Sequence, residues 1–453
     1  MLVTYPIHVE VGSPFPIENI PFGVFSTIEK PVARIGTIIG DFILDLSVLA
    51  SRGIFTSPKG NGAAKSSSCR DTGSVFFEQT LNAFAAQGRA FHSSIRMQII
   101  HLLSNPNSIL FTDDALNGLA FLLARNATMH LPMHIHGFAD FLCSEVHATN
   151  CARIAGQSLH PSFYGFPTAY NGRASSIVPS GTPVKRPRGM LKGPPAAAPI
   201  LNGTKDNTGY RLGPTARLDF ELEIGVFISK PVPYGRDDVT ADEAAEEHIF
   251  GFVLLNDWSA RDVQFAEMVP LGPFNGKATA TTISPWVIMP DALENVACGS
   301  SVERAREEMD LWPRHLQHSA ASFEKSTFDV ELEVAVIGKD GVRDVVCESN
   351  LRHLYWSPAQ MVAHQASSGC GLKEGDLIGT GTISGPNHSD QTPRLGCLFE
   401  LTEGGRRSVS LKSGRKLTWL EDGDEVVFTG WARAAGRSIG FGEARGLVMP
   451  AAL

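Results

Sequence analysis

A chain of 453 residues, 43% hydrophobic and 19% charged, has the composition of an ordinary globular protein and is long enough for a sizeable core and two domains. Its net charge of -8 gives a nucleic-acid partner no electrostatic support, and no apolar run reaches the length of a membrane span, so a small molecule is the expected partner. Seven scattered cysteines without a CxxC pair argue against a disulfide framework and a structural zinc site, and the first residues lack a secretory pattern, so a cytoplasmic protein is expected.

In chain order, short strands are expected at 23–26, 34–39 and 42–46, with a Gly-Asp turn at 40–41 closing a hairpin. The Gly-, Ser- and Lys-rich stretch 51–74 reads as a loop, and apolar residues at helical spacing predict helices over 75–103 and 113–125, the second capped by Asp113 or Asp114. A linker at 128–137 places a domain boundary near Leu131-Pro132, giving domains 1–131 and 132–453. His134 and His136 are two apart, a spacing that a metal or a plain loop can both use.

From residue 138 the pattern turns to strands and long loops. Strands are expected at 218–228, 249–255, 328–337, 377–380, 397–401 and 425–430, helices only near 241–248, 302–309 and 357–367, and a loop excursion over 190–210. The fold class is mostly β with some α.

Two features carry chemistry. In 218–228, Phe220, Leu222 and Ile224 alternate with Asp219, Glu221 and Glu223, so the two glutamates share one face about 7 Å apart. The alternation also fits the wet face of a half-buried strand. Asp257 ends the apolar run 249–255, and Arg261, Gln264 and Lys277 follow in a segment too rich in Pro and Gly for one helix. If Asp140 joins Glu221, Glu223 and Asp257, four carboxylates need a cation, and oxygen-only ligands select a hard ion, Mg2+ or Ca2+. His147, seven residues after Asp140, is then a ligand or a general base, and Glu400 is a candidate to orient it.

The motifs NDWSARDVQ, PLGPFNGK, TTISPW, LDFELE, ADF with HATN, YNGRASS, GTGTISG and DGDEV with GFGEARG, in this order, closely resemble the fumarylacetoacetase family of carbon-carbon bond hydrolases. The resemblance covers nearly the whole chain. It implies an N-terminal SH3-like β-barrel, a C-terminal mixed β-roll and a homodimer. It also implies that Asp140, Glu221, Glu223 and Asp257 hold the metal, with Lys277 and Thr281 beside it, and that His147 is the base oriented by Glu400. Arg261, Gln264 and Lys277 match groups that stabilise the transition state and contact substrate; Tyr170 and Thr382 match substrate contacts. The implied substrate is a 1,3-diketo acid.

The pattern departs from the family at substrate-facing positions. Leu142 and Met268 stand where the family has tyrosines, the loop between HATN and Tyr170 is three residues shorter, Asn171 replaces a histidine, and a carboxylate-binding arginine has no counterpart, Arg153 being near but not aligned. A changed or relaxed, less polar substrate is therefore a second reading, as are decarboxylation, tautomerisation or carbon-carbon bond formation through the same enolate. A non-catalytic small-molecule binding protein is a third. Gly436-Arg-Ser438-Ile-Gly440 matches GxSxG, but no histidine follows Ser438, so a glycine-rich turn is the better reading.

Overall fold

The structure, a computed structural model, describes residues 2–56, 72–192, 209–303, 309–387, 392–434 and 436–452. The expected loop 51–74, excursion 190–210 and helix 302–309 fall largely or partly outside these residues.

The N-terminal part is a five-stranded antiparallel sheet in the order Phe121–Leu123, Phe42–Asp45, Arg34–Ile39, Phe22–Ser26, Thr128–Met129. The expected hairpin is present, and Gly40 takes the positive φ (54°) that its tight turn requires. The helical segment 75–103 is divided: a 3-10 turn at Ser74–Phe77, a short helix at Asn82–Ala85 and a long one at Arg89–Ser104. The second helix, Asp114–Ala120, is capped by the Asp113 carboxylate, which accepts from Leu116 N at 2.9 Å. It stops short of residue 125 because Phe121–Leu123 pairs with Phe42–Asp45 instead. Here tertiary pairing overrides helical spacing.

The C-terminal part holds a seven-stranded mixed sheet: Ala169–Asn171, Phe138–Phe141, Leu377–Gly379, Leu222–Ile228, Ile249–Asp257, Thr281–Ile283, Ile177–Pro179. Its two edge strands are neighbours in sequence. Laid flat, seven strands would hold the edges about 29 Å apart. Yet the link from Asn171 to Ile177, partly a 3-10 turn, reaches at most about 22 Å even when extended. The sheet must therefore curl into a roll. A second five-stranded sheet (Arg343–Asn350, Val330–Ile337, Glu425–Ala434, Arg437–Met449, Val184–Lys185) packs beside it. This is a β-rich α/β architecture with distinct N-terminal and C-terminal parts.

Side chains of the seven-stranded sheet alternate between two apolar clusters. Ile224, Val226, Phe252 and Leu254 enter the core shared with the second sheet, whereas Phe227, Val253, Leu255 and Leu377 enter the core shared with Phe22, Phe76 and Phe84 of the N-terminal part. Both faces are buried, so the alternating acids of this sheet cannot be a wet face.

Two expected strands differ. The run 218–228 is broken: Leu218–Asp219 pairs with Ser259–Ala260, and the seven-stranded sheet takes up the chain only at Leu222. The segment 397–401 is not a strand but a short helix, Leu398–Leu401, whose first N–H groups, on Leu398 and Phe399, donate to the two oxygens of Asp219 at 2.7 and 2.9 Å. A distant carboxylate capping those donors outweighs the strand-like apolar pattern.

Candidate active site

The acids gather because strand pairing puts them on one face. Asp140 is opposite Gly379, Gly379 is opposite Gly225, and Asp257 is opposite Thr281; Glu223 lies two residues before Gly225, on the same face. Asp140, Glu221, Glu223 and Asp257 are all buried, each with a carboxylate oxygen within 4.8 Å of the others'. Glycine makes the room. A Cβ on Gly379 would stand 2.8 Å from Glu223 Oε2 and 3.0 Å from Asp140 Oδ1. The N–H of Gly381 donates to Glu223 Oε2 at 3.0 Å.

Two cations enter the cluster. Lys277 Nζ donates to Asp257 Oδ2 at 2.6 Å and to Glu221, and lies 3.8 Å from Asp140. Arg261 reaches Glu221 Oε1 at 2.7 Å with Nη1, donates to Asp219 Oδ2 at 2.8 Å with Nε, and to Gln264 Oε1 at 3.2 Å. Thr281 and Tyr170 hydroxyls each donate to Asp257, both at 2.9 Å. Burial works against ionised Glu221, but Lys277 and Arg261 outweigh it and hold the group at about 2. Burial pushes Asp140 up to about 7 against the pull of Lys277, and burial together with the charges of Asp140 and Asp257 lifts Glu223 well above the carboxylate range.

Five buried acids, counting Asp219, thus face two cations, and Asp140 Oδ1 and Glu223 Oε1 are buried without any hydrogen-bond partner. Orphaned buried carboxylate oxygens are costly unless a cation satisfies them. The donor set fits a hard divalent ion.

The second group is His147 with Glu400. Helix Glu145–Ile154 carries His147, and Ser144 caps it, accepting from His147 N at 3.2 Å while donating to Ser384 O at 2.9 Å. His147 Nδ1 and Glu400 Oε2 are 2.6 Å apart, and Glu400 also accepts from Asn150 Nδ2 (2.9 Å) and Ser384 Oγ (2.7 Å). Burial favours a neutral ring, but the Cys151 sulfur and Glu400 overturn it and hold His147 well above the usual imidazole range. Asp219 ties the two groups together, bonding both Arg261 and the first N–H groups of the helix that bears Glu400.

The structure therefore brings together Asp140, Glu221, Glu223, Asp257, Lys277, Arg261, Gln264, Tyr170 and Thr281 as one contact network, with His147 and Glu400 beside it. Thr382 is buried with an unpartnered Oγ1. Leu142 follows the Asp140 strand directly and is half-buried; Met268, also half-buried, ends the helix Arg261–Glu267 that bears Arg261 and Gln264. Arg153 instead pairs with Glu403 at 2.9 Å on the surface. The rings of His134 and His136 lie against each other, 4.4 Å between centroids, and among the described residues they join no group of three potential metal ligands. Ser438 lies on the strand Arg437–Met449, paired with Arg433 across a hairpin.

Sequence reasoning missed Asp219. This fully buried carboxylate anchors Arg261 and caps the turn bearing Glu400, joining both halves of the site. The available signal was charge balance, since a buried Arg261 demands an acid.

Two family models match this chain. The family described as fumarylacetoacetate (FAA) hydrolase C-terminal matches residues 137–448, and fumarylacetoacetase N-terminal matches residues 18–132. The chain is 40% identical to fumarylacetoacetase of Rattus norvegicus over 456 residues, covering 98% of each chain. It is 39% identical to that of Homo sapiens, covering 99% of each, and 39% identical to fumarylacetoacetase fahA of Aspergillus fumigatus, covering 98% of each. The solved structure of fumarylacetoacetate hydrolase from psychrophilic Exiguobacterium antarcticum overlaps 95% of this chain and 99% of its own, at a TM-score of 0.49 and 16% identity. By the match of both domain families and by these full-length relatives, the chain belongs to the fumarylacetoacetase family.

Proposed function

We propose that this chain hydrolyses a carbon-carbon bond in a fumarylacetoacetate-like 1,3-diketo acid. The family consists of hydrolases acting on such bonds in ketonic substances, and its relatives carry the name fumarylacetoacetase. The observation that carries the reading is the four-carboxylate cluster with two orphaned oxygens set beside the buried His147-Glu400 pair.

Asp140, Glu221, Glu223 and Asp257 would hold Mg2+ or Ca2+, with Lys277 and Thr281 beside them. When bound, such an ion supplies positive charge for the oxygens of a diketone and lowers the energy of an enolate leaving group. Glu400 occupies His147 Nδ1 and is itself fixed by Asn150 and Ser384, which leaves Nε2 to exchange a proton with water; the charge of a divalent ion in the cluster would oppose the imidazolium and favour the neutral ring that accepts one. The resulting hydroxide adds to the carbonyl, and the negative charge developing on its oxygen is met by donors from Lys277, Arg261 and Gln264. The bond from that carbonyl to the central carbon breaks, and the imidazolium of His147 returns a proton to the departing carbon. Tyr170 and Thr382, with Leu142 and Met268 at the helix and strand ends, line the substrate side.

The test is the loss of fumarylacetoacetate absorbance after chelation and after restoring Mg2+ or Ca2+. Metal-restored turnover is expected. Folded, metal-loaded protein that leaves the substrate intact would overturn hydrolysis of this compound. The apolar Leu142 and Met268 favour a second reading, a less polar diketone, which the same assay with alkyl 1,3-diketones decides.

A further inference from the structure

One reactive group at the site has no part in this mechanism. Cys151 lies one helical turn after His147 on helix Glu145–Ile154, and its sulfur sits 3.7 Å from Nδ1 and 3.6 Å from Nε2 of the ring. Cys397 completes the cluster on the other side, its sulfur 3.4 Å from Glu400 Oε2. The two thiols differ in access. Cys397 is fully buried and donates to a carboxylate, whereas Cys151 is only partly buried. Cys151, His147 and Glu400 thus form a thiol, imidazole and carboxylate in succession, the sulfur lying about equally near both ring nitrogens, of which Nδ1 is committed to Glu400. That is the arrangement in which a thiol becomes a nucleophile.

We propose that Cys151 is a modification site for α,β-unsaturated carbonyl compounds, and that its adduct switches off the His147 base. The thiol proton passes to His147 Nε2. Sulfur then bonds to the carbon β to the carbonyl, the π pair of the C=C bond moves onto the carbonyl as an enolate, and the α-carbon takes the proton back from the imidazolium. Atoms and charge balance without an oxidant or reductant. An adduct on a sulfur 3.6 Å from Nε2 fills the space in which the ring would meet water. The switching-off rests on the hydrolytic reading above; the reactivity of the thiol does not.

The test uses the full chain and N-ethylmaleimide, an α,β-unsaturated imide, with the exposed Cys370 as internal reference. Brief labelling at limiting reagent, read by peptide mass spectrometry, should modify Cys151 at least as fast as Cys370 despite its lower exposure. His147→Gln, which removes the group that takes the thiol proton, should slow labelling of Cys151 by about tenfold or more and leave Cys370 unchanged. Labelling of Cys370 with Cys151 untouched, or a Cys151 rate indifferent to His147→Gln, overturns the assignment. Pretreatment should also abolish hydrolysis in the natural protein and spare Cys151→Ser; equal inactivation of both overturns the switch. Should the chain prove to hydrolyse no diketone, the proposed function falls while the labelling rates still decide the thiol.

Discussion

Asp219 concentrates three hydrogen bonds in one side chain: Arg261 Nε and two backbone N–H groups converge on it, with no exposure to water. Asp219→Asn removes the charge while keeping the shape, leaving the buried guanidinium to Glu221 alone. Breaking a buried pair in this way costs about 3 kcal/mol or more. The variant should unfold at lower temperature and turn over substrate at least about tenfold more slowly by loss of Arg261 placement; unchanged melting and kcat would refute the anchoring role. Gly379→Ala acts on the other half. Its new methyl would meet Glu223 and Asp140 oxygens at 2.8 and 3.0 Å, so metal affinity should fall about 10- to 100-fold in a calorimetric titration with the fold retained. The alternation of Glu221 and Glu223 was legible, but it fits the wet face of a half-buried strand equally well; only the burial of both faces of the sheet, which the local pattern does not show, makes them buried acids. Asp219 continues the same alternation and looks no different from its neighbours. Its distinguishing partner, Arg261, lies 42 residues away in sequence.

At the scale of elements, the helix Glu145–Ile154 positions His147, the proposed base. Ser144 caps that helix and ties it to Ser384, which in turn bonds Glu400, so one hydroxyl holds both members of the pair in line. Ser144→Ala should cost about 1 kcal/mol of stability as a lost cap. It should also lower kcat more than KM changes, because His147 would lose its orientation rather than the substrate its contacts; a pure stability loss with normal kcat would show the cap to be structural only. Elements whose pattern is local were readable in the sequence, such as the Gly40 hairpin and the helix near 357–367, which the structure places at Pro358–Ala366. The broken strand at 220–221 and the helix at Leu398–Leu401 were not, because each is decided by Asp219 acting across the fold. A short apolar run is ambiguous until its distant partner is known.

At the scale of the whole molecule, the two parts share a core. Phe22, Phe76 and Phe84 pack in one cluster with Phe227, Phe250 and Val253, and Phe84 meets Phe250 edge to face at 5.7 Å. We propose that residues 1–131 and 132–453 form two units that melt together, and calorimetry should show a single transition; two resolved peaks would separate them. His92 sits at that junction, 5.0 Å from the Phe250 ring, with Nε2 bonded to Phe84 O at 2.8 Å. Burial lowers it to about 4 from an ordinary 6.5. Above pH 6.5 the ring is neutral folded and unfolded, and the stability is whole. As pH falls from 6.5 towards 4, only the unfolded chain takes up the proton, so stability drains away, by about 3 kcal/mol in all. His92→Gln should flatten this acid limb of the melting temperature, and an unchanged limb would locate the acid sensitivity elsewhere.

The curl of the seven-stranded sheet has a consequence for how the molecule behaves in a crowded solution. An open sheet ends in rows of unpaired N–H and C=O groups that can recruit a strand from another chain. Here each edge strand is three residues long, one of them closes on Pro179, which has no N–H to offer, and a short link draws the two edges towards each other. The acids of the site are thus set in a sheet that presents almost no free backbone to a neighbour. Strand addition to this sheet must first uncurl the roll, and doing so would pull Tyr170, on one of those edges, away from Asp257.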